Sequence, residues 1–352
     1  MNDASAKVQL VGRGLRGATR AIGSRTIARA DAVAPQSFVL FGGTGNGPLT
    51  AAVARELGTE PGSCHIERFP DGEITVRLHE PVRGRDVFVI QPTAPAVNDH
   101  LMELLIFADA CRRASADRIV AVVPYFGYAR SDKRDGRLEP ITASLTADLM
   151  QCAGIAHVIL LDVHTPQMEG FFHGPVDHLT AVPELSRVLE KTLPADTVVV
   201  SPDAGRVRMA TEYARRLGFP LIVLHKRRES GTKTEVTHVV GEVRGRSCLI
   251  IDDMISTGGT IATSARALAA AGARSEFVVA ATHGLLLDGA CDRMAAAGIA
   301  RVYVTDSVLA PDLRCGHASV VTVAPLLAAA IRLQIVGAYP AAQLDVTARE
   351  TD

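Results

Sequence analysis

The sequence has no excess charge of either sign: 37 lysines and arginines face 38 aspartates and glutamates, for a formal net charge of −1. Bulk electrostatics therefore point to neither nucleic acid nor an anionic membrane as partner. An apolar run of membrane-spanning length is also missing. The nearest approach, 318–331, is interrupted by Pro325 and reads as a strand followed by a helix. Paired cysteines are lacking: Cys64, Cys111, Cys152, Cys248, Cys291 and Cys315 are scattered singly, without Cys-x-x-Cys spacing. That pattern reads as reduced, mostly core thiols of a cytoplasmic protein. Tryptophan is absent too, which by itself excludes nothing.

What is there is a large apolar fraction, 47% hydrophobic against 21% charged residues, in a chain of 352. Those values suit a globular protein with two α/β domains of ordinary size. Residues 1–36 stand apart. Lys7, Arg13, Arg16, Arg20, Arg25 and Arg29 face only Asp3 and Asp31, and Pro35 ends the segment. It reads as a disordered basic tail, with a transit-peptide-like leader as the alternative; no apolar segment suggests secretion.

From Phe38 onward apolar, β-branched runs recur at 38–41, 86–91, 119–124, 157–162, 197–201, 221–224, 247–251, 276–281, 301–305 and 319–323. Helical patterns at 98–114, 141–153, 207–217 and 260–271 lie between them, and Gly154, Gly218 and Gly272 stand where C-cap glycines belong. Continuous apolar strands alternating with helices predict parallel sheets covered on both faces. The pattern occurs twice. The expected organisation is therefore two tandem doubly wound α/β domains, 37–184 and 185–338, with the last helix packing back on the first domain and a tail at 339–352. Such folds bind ligands at the carboxyl ends of their strands.

The strongest motif lies at such an end: Leu249-Ile250-Ile251-Asp252-Asp253-Met254-Ile255-Ser256-Thr257-Gly258-Gly259-Thr260, followed by an alanine-rich helix. A hydrophobic strand delivers two carboxylates, and a loop of Ser256, Thr257, Gly258, Gly259 and Thr260 enters a helix. Glycines let the backbone approach a ligand closely, while free N–H groups and the helix dipole favour an anion. Asp252 and Asp253 would sit above, placed to accept hydrogen bonds from vicinal sugar hydroxyls. The competing reading is an acidic turn before a capped helix. The motif resembles the signature of type I phosphoribosyltransferases and their relatives, and it leaves open whether the activated sugar is used or made.

Other segments decide between those options: Phe69-Pro70-Asp71-Gly72-Glu73-Ile74, Asn98 to Leu105, Pro124 to Arg134, Asp162-Val163-His164-Thr165 continuing to Phe172, Ser201-Pro202-Asp203-Ala204-Gly205, and His225-Lys226-Arg227-Arg228. Together they resemble ribose-phosphate diphosphokinases (phosphoribosyl diphosphate synthetases), collinearly from about Phe38 to Ile335. The resemblance implies a type I phosphoribosyltransferase-like fold in both domains. It implies transfer of a diphosphoryl group from ATP to the 1-hydroxyl of ribose 5-phosphate, with a product that feeds nucleotide, histidine and tryptophan synthesis. His164 and Asp203 would contribute to Mg²⁺ binding, although a lone His or Asp at a strand end is otherwise as well read as solvated or capping. Lys226 and Arg228 would stabilise the transferring phosphates from a catalytic loop, with 229–235 as a mobile flap. On the ATP side stand Arg130, whose guanidinium can stack on adenine, then Ser131, Asp135 and His164, and Phe69, Asp71 and Glu73 reaching over from a neighbouring subunit. Asp71-Gly72 is also a good hairpin turn. A site completed across subunits implies self-association as a dimer or higher, with a hexamer as one form.

Departures from the family pattern are specific. Ser131 replaces a common Gln. Arg206 replaces a second Gly after Asp203-Ala204-Gly205, bringing bulk and charge near the sugar. Gln91-Pro92-Thr93-Ala94 replaces a Ser-Thr-Ser stretch used for allosteric phosphate and ADP, and Leu138 replaces a basic residue. Two other functions remain in view. A catalytically silent paralogue would have lost the basic loop or the acid pair, and both are intact. A phosphoribosyltransferase acting on a base would not need the Phe69 and Arg130 motifs.

Overall fold

The computed structural model describes residues 38–134, 136, 138–229, 233–309 and 315–336. The expected tails at 1–36 and 339–352 lie outside these residues. In chain order the elements of the first half are β1 (Phe38–Gly42), α1 (Gly47–Leu57), β2 (Cys64–Arg68), β3 (Ile74–Leu78), β4 (Asp86–Ile90), α2 (Val97–Arg113), β5 (Arg118–Val123), α3 (Thr142–Ala153), β6 (His157–Leu161) and β7 (Val176–Leu179). The second half holds α4 (Val182–Leu189), β8 (Val198–Ser201), α5 (Val207–Leu217), β9 (Leu221–Glu229), β10 (Lys233–Val240), β11 (Cys248–Ile255), α6 (Gly259–Ala270), β12 (Phe277–Gly284), α7 (Ala290–Ala295), β13 (Ile299–Thr305), β14 (Ala318–Val321) and α8 (Ala324–Val336).

Two open sheets result. The first has the order β1-β4-β5-β6-β7 and is parallel throughout. The second has the order β10-β9-β8-β11-β12-β13-β14 and is parallel except for the edge strand β10, which runs antiparallel to β9. Strand alternation divides the core. In the first sheet Val39, Phe41, Val87, Val89, Ala121, Val123 and Leu160 face α2 and α3, where Phe107, Ala147 and Met150 meet them. Leu40, Phe88, Val120, Val122, Ile159 and Leu161 face the other way, into a cluster that continues through α1, α4, α5 and α8 to Val199, Leu249, Ile251, Ala280 and Tyr303 of the second sheet. The opposite face of that sheet, including Val200, Ile250 and Val279, packs on Ile261, Ala265 and Leu268 of α6. Every strand that alternates between two buried faces must be apolar at consecutive positions, and this is what made the central strands legible.

Polar contacts tie the ends of α8 and α1 to their surroundings. Gln334 on α8 donates to Asp177 at 2.6 Å and accepts from Arg118 at 3.1 Å, and Arg118 also pairs with Asp86 at 2.7 Å. Asn46 caps α1 through the Leu49 amide and donates to the Asp306 carbonyl at 2.7 Å, which joins the two halves at a second point.

Three features differ from the expectation. Strands β2, β3, β7 and β10 were not anticipated, because they are short or lie at a sheet edge and carry no continuous apolar run. Strand β9 does not stop at Leu224 but continues through Glu229, so Lys226 and Arg228 lie in a hairpin arm and not in a loop. Cys291 and Cys315 are joined by a disulfide, with Cα atoms 5.1 Å apart, which corrects the reduced-thiol reading for that pair. The buried thiols Cys111 and Cys248 do behave as core groups; burial pushes the first up to about 12 and the second to about 11. Among the described residues no helix is long and apolar enough to cross a membrane.

Candidate active site

The carboxyl ends of both sheets converge. Strand β6 delivers Asp162 and His164, and β11 delivers the acid pair while still hydrogen-bonded to β12, with Asp252 opposite Ala281 and Met254 opposite His283. The acids therefore lie inside the last turns of a central strand, not in the loop after it. Burial follows: Asp252 is 8% exposed and Asp253 is 2% exposed.

A set of buried hydrogen bonds fixes how the halves meet. Asp162, with φ of 38°, accepts from the Ala181 amide at 2.8 Å and from the Thr282 hydroxyl at 2.6 Å. His283 reaches the Asp162 carbonyl at 3.3 Å and Ser307 at 2.9 Å, and its ring lies edge-on to Tyr125. Burial holds the His283 imidazole below its usual pKa, so it serves as a neutral strut. Sequence reading passed over Thr282 and His283, because neither belongs to a recognisable motif. The partner they share, Asp162, lies more than a hundred residues away.

Across this seam His164 meets Asp253 at 2.9 Å, linking the first half to the sugar-type loop of the second. Arg206 is the group that the sequence flagged as bringing bulk and charge near the sugar. Its guanidinium reaches Asp252 at 3.2 Å and Asp253 at 2.9 Å, donates to the His164 carbonyl at 3.1 Å, and touches the His164 ring at Nδ1. Nδ1 can donate to Asp253 or accept from Arg206, but not both, so the tautomer of His164 follows the position of Arg206. The two carboxyls are driven apart in acidity. Burial and the charge of Asp253 raise Asp252 well above the usual carboxylate range. Burial would also raise Asp253, but the His164 hydrogen bond and the Arg206 charge overcome it and hold Asp253 at about 2. The pair is thus split, Asp252 the weaker acid and Asp253 the stronger, with the Arg206 charge lowering both.

Asp203, at the end of β8, accepts from the amides of Gly205 at 2.9 Å and Arg206 at 3.2 Å. It is a capping residue that holds the turn into α5, and the same contacts set where the Arg206 side chain starts. Asp203 thus holds the Arg206 backbone while His164 meets its guanidinium. Among the described residues no group of three His, Cys, Asp or Glu side chains is assembled as a ready-made metal site.

Ser256 and Gly259 are partly exposed, Thr257 and Thr260 fully so, and Gly258 is buried at φ of 72° as the residue before α6. No side chain caps this helix, so its first N–H groups remain directed out of the loop. A Cβ on Gly258 would lie 3.0 Å from Met294 Cγ and 3.1 Å from the Ala290 carbonyl of α7. Gly258→Ala is therefore expected to lower stability by about 1–3 kcal/mol through left-handed strain and overpacking, and to weaken anion binding at the loop. Denaturant titration and calorimetry of phosphate-ester binding read the two effects, and wild-type values for both would remove the strain argument.

The remaining predicted residues are spread around this centre. Phe69, Asp71 and Glu73 form the tip of the β2–β3 hairpin, where the Phe69 amide bonds the Glu73 carbonyl at 2.8 Å, Gly72 has φ of 95°, and Phe69 is 40% exposed. The hairpin turn expected at Asp71-Gly72 is present. Arg130 is exposed, beside Asp132, which accepts from Thr165 at 2.9 Å next to His164. The Ser131 hydroxyl accepts from the Thr142 amide at 3.2 Å and so helps hold the start of α3. Asp135 lies outside the described residues. Lys226 and Arg228 are placed by backbone pairing alone, opposite Val236 and Thr234.

Residues 38–154 match the model of the N-terminal domain of ribose phosphate pyrophosphokinase, and residues 184–305 match the phosphoribosyl transferase domain. Ribose-phosphate pyrophosphokinases from Thermosipho africanus and Staphylococcus haemolyticus are 42% and 46% identical over 301 and 299 residues; the alignments span 85% and 84% of this chain and 95% and 93% of those proteins. The crystal structure of phosphoribosylpyrophosphate synthetase from Mycobacterium smegmatis superposes with a TM-score of 0.80 at 42% identity, covering 86% of this chain and all of that one.

Proposed function

The chain belongs to the ribose-phosphate pyrophosphokinase family, and on that premise we propose that it transfers the diphosphoryl group of ATP to the 1-hydroxyl of ribose 5-phosphate, releasing AMP and phosphoribosyl diphosphate. The observation that carries this reading is the junction itself. The acid pair and anion loop of the second half face His164 of the first across a 2.9 Å contact, so an acceptor sugar and a nucleotide can be held against each other.

In this reading the outward N–H groups at the start of α6, with Ser256, Thr257, Gly259 and Thr260, hold the 5-phosphate. Asp252 and Asp253 fix the ribose through its hydroxyls, which aims the 1-hydroxyl at the ATP. Catalysis then rests on in-line positioning and on cations matching the charge of the transferring phosphates. Lys226 and Arg228 supply these from the β9–β10 hairpin. Beyond Val223 strand β9 pairs with β10 rather than β8, and a two-stranded ribbon is marginally stable by itself, which suits an arm that closes over substrate. Arg130 and Asp135 would contact the nucleotide. Phe69, Asp71 and Glu73 would reach the ATP of a neighbouring subunit, since the hairpin presents them outward, and the working form would be a homo-oligomer.

Mg²⁺ is the proposed cofactor, supplying charge neutralisation to the phosphates. His164 and Asp203 fit it: carboxylate oxygen is a hard ligand, Asp203 is held in orientation by two amides, and Mg²⁺ needs few protein ligands when phosphates and waters complete its shell. Cytoplasm is the proposed compartment, on the ground that both substrates are intracellular metabolites; the Cys291–Cys315 bond is unusual for that setting. Regulation by phosphate would have to use donors other than the 91–94 stretch, because Thr93 bonds Gly127 and Tyr125, Gln91 bonds Gly45 and Glu103, and Ala94 has no hydroxyl.

The assay is direct. With ATP, Mg²⁺ and ribose 5-phosphate the protein is expected to form AMP, and to form none when the sugar phosphate is omitted. No AMP at any phosphate concentration would overturn the reading in favour of a silent paralogue.

A further inference from the structure

Arg206 is a residue whose charge the proposed reaction does not need at the sugar, yet it makes the most connected contact in the site. Its side chain is 13% exposed and bridges two carboxylates, one imidazole and one backbone carbonyl drawn from both halves of the molecule. A planar guanidinium with donors in a fixed fork is suited to this, and a lysine is not. The oxygens it engages belong to the carboxylates that would accept the ribose hydroxyls. The imidazole it touches belongs to the residue that would face the metal.

We infer that Arg206 is a built-in latch, an internal cation that occupies the acid pair and must leave it before ribose 5-phosphate and Mg²⁺ bind. The inference rests on the proposed function. Removing one partner from a buried ion pair is costly when nothing replaces it, so the latch stays shut until an incoming cation and diol take over its contacts. Its release also changes His164. While it stays, the Arg206 guanidinium is a fixed positive charge against the His164 ring and opposes a second cation there. With Arg206 away, that repulsion is gone, Nδ1–H keeps its bond to Asp253 and Nε2 can ligate. A single movement therefore couples sugar binding to metal binding.

Closure has a predictable thermodynamic effect. A protein that is competent in one molecule of ten binds about tenfold more weakly than its open form. The experiment compares wild type with Arg206→Lys and Arg206→Gln as full-length proteins. Ribose 5-phosphate binding is followed by calorimetry without ATP, and Mn²⁺ binding by water proton relaxation. The latch predicts that Arg206→Lys binds ribose 5-phosphate about tenfold more tightly than wild type, because it keeps the charge but loses the fork. It predicts that Arg206→Gln binds both ribose 5-phosphate and Mn²⁺ more tightly. Weaker ribose 5-phosphate binding in Arg206→Lys would make Arg206 a substrate ligand and overturn the inference, as would an unchanged constant. Should Arg206→Gln fail to fold, Arg206→Lys still decides. The outcomes separate from the parent reading: wild type that forms no AMP and binds no ribose 5-phosphate refutes the function, whereas wild type that does both, beside variants that bind no better, refutes only the latch.

Discussion

Lys226→Ala is expected to lower the rate of AMP formation by roughly 10²–10³-fold, the size of effect seen when one donor is removed from a developing charge in a sheltered site, while the midpoint of thermal unfolding stays within a degree or two of wild type. The two halves of this expectation have different origins. The rate effect follows from the proposed role of the ammonium on the transferring phosphates. The stability effect follows from position: Lys226 pairs with Val236 in the β9–β10 ribbon, beyond Val223, where the strand no longer pairs with β8. Little of the core depends on that arm. Arg228→Ala should behave alike, and KM for ribose 5-phosphate should change less than turnover, because the 5-phosphate is held at α6. Steady-state kinetics beside a thermal melt checks all three quantities. Turnover equal to wild type would remove Lys226 from the catalytic assignment.

The second large effect concerns the acid pair, where the neighbours Asp252 and Asp253 should respond unequally to the same substitution. Asp253 is charged and balances Arg206 and His164, so Asp253→Asn leaves a buried guanidinium poorly compensated and should cost about 3–5 kcal/mol. Asp252 is the weaker acid of the pair, so Asp252→Asn, which removes its charge, should cost less than Asp253→Asn. The pH dependence has matching signs. The lowered pKa of Asp253, about 2, lends stability that is present above the unfolded value near 4 and is lost as pH falls through 2. The raised pKa of Asp252 lends stability that is complete below the unfolded value and is lost as pH rises through the folded one. Denaturant unfolding of both variants from pH 2 to pH 8 reads this out. A larger cost for Asp252→Asn at neutral pH would overturn that order. Both variants should bind ribose 5-phosphate more weakly.

The sequence by itself determined the parts whose signal is local. A strand buried on both faces must be apolar at consecutive positions, so all ten expected strands are present, and Gly154 and Gly218 end α3 and α5 in the left-handed conformation, as read. The order of strand, acid pair, threonine–glycine loop and helix was equally legible, since it lies within a dozen residues. Tertiary structure decided everything that depends on partners distant along the chain. His164 and Asp253 are separated by 89 positions, Arg206 and Asp252 by 46, and Thr282 and Asp162 by 120. No periodicity encodes such pairings. The same holds for the disulfide between cysteines that looked solitary, and for the short strands that carry no continuous apolar run. The loop at 250–260 could be read as a ribose-phosphate site from its own residues. That an arginine from the neighbouring strand's turn closes over its acid pair follows only from how β6, β8 and β11 bring their ends together.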